Sequence, residues 1–403
     1  MATTSEIGAA APMKNIALLS ASQAIVGSQQ ALIMSVGALV GVTLAPDPSL
    51  ATVPTTAMVL GLAISAGPSA FLVHRLGRKR AFILGALISI LAGLLAAMAI
   101  IVSSFPLFCV ALATGGTAAA FGQQYRFAAA DSVPAEMKGK AISWVLAGGV
   151  VAGILGPTMS RWGREWLPGA EYAGSFLAMA GLALIGVAIL TQTNLARATL
   201  KTNTATPRRF RDIAGSPDVF VPVISGMASY GLMTFVMVAA PLAMVVVCGH
   251  SKDAATTAIQ WHIISMFAPS FFTGAIIARI GARATTGIGL TLILGCSLIA
   301  LNGTSLWHFD LALILLGLGW NFGFIGSTTL LAAGYRPEDA ARVQALNEQL
   351  VFGVMAIASI SSGLLLQNLG WQSINVLAIP IATGAIALLA WGDWHGRKVE
   401  PAE

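Results

Sequence analysis

The sequence predicts an all-α membrane protein with twelve transmembrane helices arranged as two six-helix bundles. Three observations point there. The 403 residues are 56% hydrophobic and only 9% charged, with a mean hydropathy of +0.81, against about 25% charged for an ordinary soluble domain. Long charge-free runs alternate with short cationic loops. The longest polar break falls near the middle of the chain.

The loop His74-Arg75-Leu76-Gly77-Arg78-Lys79-Arg80 sits between two such runs, since residues 56–73 and 81–125 carry no charge. The second run is interrupted only by Ser103-Ser104-Phe105-Pro106. A helix needs about 20 residues to cross about 30 Å of hydrocarbon, so this run is two spans and a hairpin. The spans are helical because an open sheet leaves its backbone unsatisfied in lipid. The 43 glycines suit close helix packing.

In order, the expected spans are 16–40, 56–73, 81–102, 106–129, 141–160, 173–191, 218–240, 257–278, 285–302, 308–332, 344–366 and 372–391. The first is expected to be retained, because Met1 to Met13 offers no cationic region ahead of it. The polar segment after span six carries Arg197, Lys201, Arg208, Arg209 and Arg211. It divides the chain into an N-terminal bundle at 1–191, a central loop at 192–217 and a C-terminal bundle at 218–403.

Charge sets the expected orientation. With the N-terminus cytoplasmic, that face collects Lys14, the four cations of the 75–80 loop, Lys138, Lys140, the five of the central loop, Arg279, Arg283, Arg336, Arg342, Arg397 and Lys398. The opposite face keeps Arg161, Arg164 and Lys252, and Arg126 falls inside a span. This is the positive-inside distribution, with both termini cytoplasmic. It accounts for the formal charge of +6 without nucleic acid as a partner. The halves also echo each other: Arg75-Leu76-Gly77-Arg78 follows span two as Arg279-Ile280-Gly281-Ala282-Arg283 follows span eight. Asp131 to Lys140 likewise parallels Tyr335 to Arg342. Two parallel six-span repeats explain both.

Over nearly its full length the chain resembles the major facilitator superfamily. The loop opened by Gly67 and carrying Arg75, Gly77, Arg78 and Lys79 matches the family's loop after span two, although His74 stands where the family has Asp. Gly149, Gly153, Gly156 and Pro157 resemble the fifth-span motif of family antiporters, with Ser160 and Arg161 replacing its closing glycines. Trp261-His262, Met266 to Gly274 and Arg342 to Glu348 are similar to a bacterial subgroup that includes riboflavin transporters. The resemblance implies the major facilitator fold, a multi-pass protein of the bacterial inner membrane, and secondary active transport by alternating access. The expected solute is small, organic and flat or amphipathic. Proton-coupled efflux is the first expectation, and uptake or facilitated transport of a vitamin-like solute such as riboflavin is the alternative.

Candidate coupling and gating residues are Arg75, Gly77, Arg78, Arg126, Asp131, Gly156, Pro157, His262 and Glu348. Gly156 and Pro157 combine close packing with a lost ladder hydrogen bond. Arg126 near the end of span four must snorkel, pair or face a watery cavity. Asp131 can pair with Arg75 or Arg78 as a gate, or be an ordinary surface charge. Glu348 is either a proton carrier or an acid stabilised at a helix N-terminus. His262 is either a relay or a packed, hydrogen-bonded ring.

The solute is expected near mid-membrane between the repeats, at Gln23, Gln29, Gln30, Tyr125, Trp144, Tyr230, Trp320 and Asn321. Aromatic faces and amides with few charges suit stacking and hydrogen bonding. Cys109, Cys248 and Cys296 lack paired spacing, so neither disulfide nor metal is expected. No nucleotide-binding loop or metal motif is present. No nucleophile set suggests an enzyme, and no cofactor is implied. The partners are the solute, a proton and membrane lipid, and the chain is expected to be a monomer.

Overall fold

The computed structural model describes residues 4–134, 137–195, 215–335 and 339–397. The central-loop cations Arg197, Lys201, Arg208, Arg209 and Arg211, and Arg336 of the second-half loop, lie outside the described residues.

The helices are α1 (Thr4–Leu44), α2 (Val53–Leu76), α3 (Arg78–Ile101), α4 (Phe105–Gly122), α5 (Tyr125–Ala130), α6 (Lys138–Trp162), α7 (Ala173–Thr191), α8 (Pro217–Leu242), α9 (Lys252–Phe267), α10 (Ser270–Ile280), α11 (Ala282–Asn302), α12 (Leu306–Gly334) and α13 (Ala340–Arg397). Among the described residues ten helices are long and apolar enough to cross a membrane. One of them, the 51-residue stretch Arg342–Gly392 of α13, is too long for one crossing. It turns at Gly370, whose φ is 77° and ψ 178°, and supplies two. The broken pair α9 and α10 supplies one more, which makes twelve.

Two expected spans are interrupted. The fourth breaks at Gln123 and Gln124, between α4 and α5. The eighth breaks at Ala268 and Pro269, because a proline ring has no N–H to continue the ladder. The Ser103–Ser104 hairpin is as expected: Ser103 takes a φ of 52°, and the Ser104 hydroxyl caps α4 by accepting from the Leu107 N–H at 3.4 Å.

On α3 a stripe of large apolar side chains faces outward and small residues face inward: Leu87, Leu91, Leu94 and Met98 are exposed while Gly85, Ser89, Ala92, Gly93 and Ala96 are buried. Lipid tails are as apolar as leucine, so packing between spans favours small residues that let backbones approach. A Cβ on Gly93 would lie 2.8 Å from the Phe176 carbonyl oxygen of α7.

The chain forms two compact units: α1–α7 together with α9, and α8 together with α10–α13. In the first, α1 packs on α6 and α7, α4 on α2 and α3, α3 on α7, and α9 on α6. In the second, α8 packs on α12 and α13, and α11 on α12 and α13.

Candidate functional site

In the first unit, α1 brings an amide pair to a narrow crevice. Val26, Gln29, Gln30 and Ile33 of α1, Gly115 and Ala119 of α4, and Met179 of α7 line a crevice too constricted for a water molecule. Gln29 is buried. Its Oε1 accepts from the Ser89 hydroxyl, and its Nε2 donates to the Met179 carbonyl at 3.5 Å. Gln23, two turns before Gln30, is half-buried beside Gly148 of α6. Trp144 lies near the start of α6 with its ring partly exposed, and its carbonyl accepts from the Ser20 hydroxyl at 2.7 Å.

The α6 glycines serve two different neighbours. A Cβ on Gly148 would come within 2.5 Å of the Ser20 carbonyl oxygen, and one on Gly156 within 2.5 Å of the Ser28 carbonyl oxygen, both on α1. A Cβ on Gly149 would lie 2.5 Å from the Phe267 ring, and one on Gly153 3.1 Å from Ile263, both on α9. Pro157 continues inside α6. Its carbonyl accepts from the Ser160 hydroxyl at 2.9 Å.

At the end of the unit that carries the 75–80 loop, the Arg78 guanidinium pairs with Asp131. The Arg78 side chain is 9% exposed and Asp131 53%, so a nearly buried cation is held by a half-solvated acid. Gly77 turns the chain just before it, with φ 82° and ψ 154°. Arg75 and His74 point to the exterior. Arg126 of α5 lies 4.8 Å over the Phe127 ring, a cation–π contact. Tyr125 is placed in the core, edge-on to Phe82 at 4.8 Å and fully buried, and does not line the crevice.

The opposite end of the unit holds a polar network that sequence reasoning missed. Arg161 donates to Thr257 at 3.1 Å and to Gln260 at 2.8 Å. Arg164 pairs with Asp253 at 2.9 Å, and Lys252 with Glu171 at 2.7 Å. Burial alone would lower the Arg164 pKa, but Asp253, Tyr172 and Glu165 outweigh it and hold it above its ordinary value. Burial and Glu171 push the Tyr172 phenol up to about 12, against the pull of Arg164. The available signal was compositional: the few cations assigned to this face share it with Glu165, Glu171 and Asp253.

His262, on α9, is fully buried. In the second unit, α8 and α12 gather Tyr230, Trp320 and Phe324. Tyr230 sits edge-on to Trp320 at 5.2 Å and to Phe324 at 5.0 Å, and the Trp320 and Phe324 rings stack at 5.5 Å. Phe324, one helical turn beyond Trp320, was absent from the sequence expectation. Asn321 is buried and uses its amide to hold the start of α10: its Oδ1 accepts from Thr273 at 2.6 Å, and its Nδ2 donates to Ser270 at 2.8 Å. Glu348 is on the exposed surface of α13, one turn after Gln344, whose amide donates to the Tyr335 hydroxyl at 2.7 Å.

A protein named riboflavin transporter RfnT, from Brucella anthropi, is 44% identical over 93% of this chain and 94% of its own length. The uncharacterized MFS-type transporter YddS of Bacillus subtilis is 26% identical over 96% of this chain and 92% of its own. The drug efflux pump JefA of Mycobacterium tuberculosis is 28% identical over 31% of this chain and 25% of its own. The family profile described as Major Facilitator Superfamily matches residues 19–359, a stretch that takes in the Gly77 and Gly281 turns and the α6 glycines. With twelve apolar crossings already counted, the chain belongs to the major facilitator superfamily.

Proposed function

We propose that this protein carries riboflavin or a close flavin relative across the bacterial inner membrane by alternating access, driven by a proton gradient. The observation that carries the reading is the 44% identity, spread over 93% of the chain, to a protein named as a riboflavin transporter. The side chains support it chemically. A flavin is flat and aromatic with a polar imide edge; the second unit offers the stacked Trp320 and Phe324 rings, and the first the Gln29 and Gln30 amides. Neither set carries a charge, which suits a neutral heterocycle better than a phosphate or a sugar acid. The proton reading rests on Glu348, an acid at an exposed position on a membrane-spanning helix.

Efflux of a drug-like solute is the second reading. It is favoured by the match to a drug efflux pump, which covers 31% of this chain. A partial match of that length supports shared spans more than a shared solute.

Sealed vesicles containing only the purified protein test the proposal. Saturable flux of labelled riboflavin, competed by unlabelled riboflavin and accelerated by an imposed pH gradient, is expected. Riboflavin flux no faster than in protein-free vesicles overturns it.

A further inference from the structure

Three glutamines lie along α1, and Gln30 differs from its neighbour in one respect. Gln29 has its acceptor engaged by Ser89 and a donor engaged by the Met179 carbonyl. Gln30 lines the same crevice, and among the described residues no hydrogen-bond partner for its amide is found. It lies near the middle of the apolar stretch Met13–Leu44, where water is scarce. Gln30 is half-buried, and its amide has donors and an acceptor open to a ligand.

We infer that Gln30 is the residue that reads the solute's hydrogen-bonding edge, pairing with a planar carbonyl–NH edge of lactam or imide type. The inference rests on the flavin reading above and deepens it. An amide side chain holds one acceptor and two donors in a single plane. It therefore complements a flat group that presents a carbonyl beside an N–H: the Gln30 NH₂ donates to that carbonyl while the Gln30 carbonyl accepts from that N–H. Gln29, held in orientation by Ser89 and Met179, forms a fixed polar wall next to it. Gly115 on the facing helix keeps the space open. A Cβ there would stand in ordinary contact, 3.4 Å from Ile33 and 3.8 Å from Ala92, and would take up room in the crevice. The crevice as it stands is too constricted to admit a water molecule, whereas formed ligand pockets hold roughly 300–1,000 Å³, so α1, α4 and α7 part when the solute enters.

The test measures binding of riboflavin, and of riboflavin methylated on its imide nitrogen, to the purified full-length protein in lipid nanodiscs. The unmodified protein should bind the methylated flavin about tenfold or more weakly, because its Gln30 acceptor is then left unpaired. Gln30→Met, which keeps length and loses hydrogen bonding, should bind riboflavin about tenfold more weakly and treat the two flavins nearly alike. Gly115→Ala should weaken both flavins by a similar factor and preserve the discrimination. A folded Gln30→Met protein that still discriminates as the unmodified protein does overturns the inference while leaving the flavin reading intact. If Gln30→Met does not fold, a Gly115→Ala protein whose affinity for both flavins is unchanged overturns it. If the unmodified protein binds neither flavin, the proposed function fails and the inference with it.

Discussion

Gly77 and Gly281 hold the same backbone conformation, φ 82° and ψ 154° against φ 84° and ψ 155°. Each ends one helix and begins the next, so the two positions use one turn. At these angles a Cβ is disfavoured even in open space, and Gly281 has nothing within 4 Å of the position a Cβ would take. Gly77→Ala and Gly281→Ala should each destabilise the protein by about 1–3 kcal/mol, read as a lower melting temperature in detergent. A Gly281→Ala protein that melts with the unmodified one would show that the turn relaxes freely.

The two faces of α6 predict different rescue behaviour. Gly149→Ala meets a side chain, the Phe267 ring, whereas Gly148→Ala meets the backbone carbonyl of Ser20. Overpacking costs roughly 1–3 kcal/mol in both cases. Phe267→Leu should restore most of the stability of Gly149→Ala. No replacement at Ser20 should restore Gly148→Ala, because the carbonyl stays. Equal rescue at both sites would contradict this division of the glycines.

The Arg78–Asp131 pair is proposed as a conformational lock. With Asp131 half-solvated, its direct contribution is roughly 1 kcal/mol or less. Arg78→Ala and Asp131→Ala should shift the accessibility of reporter cysteines on the two membrane faces in the same direction, and the double variant should shift it little further than either single one. Additive shifts would mean that the two residues act apart.

Glu348→Gln keeps the shape of the side chain and removes its titration. It should preserve riboflavin binding and exchange while abolishing accumulation against a gradient. His262→Gln, at a fully buried position, should do less. Full pH-driven accumulation by Glu348→Gln would remove the proton role from this residue.

Orientation is testable with single cysteines in a protein whose Cys109, Cys248 and Cys296 have been replaced. Thr202→Cys in the central loop should resist a membrane-impermeant thiol reagent in intact cells, and exposed Glu165→Cys should react with it. The reverse pattern would invert the topology.

Much of the fold was legible because hydropathy and turn chemistry are local properties. The apolar runs marked the long helices, Gly77 and Gly281 marked matching turns, and Ser103 to Pro106 marked a hairpin. The break of span eight at Pro269 was visible as a proline, yet the run around it stayed apolar enough to be read as continuous. Of the candidate site, the residue types were legible and their partners were not. Tyr125 belongs to the core against Phe82, and the Asn321 amide is spent on Ser270 and Thr273.

What the sequence alone determined, then, was which stretches form the long apolar helices and where Gly77 and Gly281 place matching turns between them. Which side chains meet was decided by tertiary structure. A membrane helix is apolar on every face, so its sequence pattern does not reveal how it is rotated about its axis. Only packing on α1 and α9 assigns Gly148 and Gly149 to opposite neighbours. The same packing brings Arg164 to Asp253 across 89 positions of chain, and engages Gln29 while leaving Gln30, the next residue, facing the crevice.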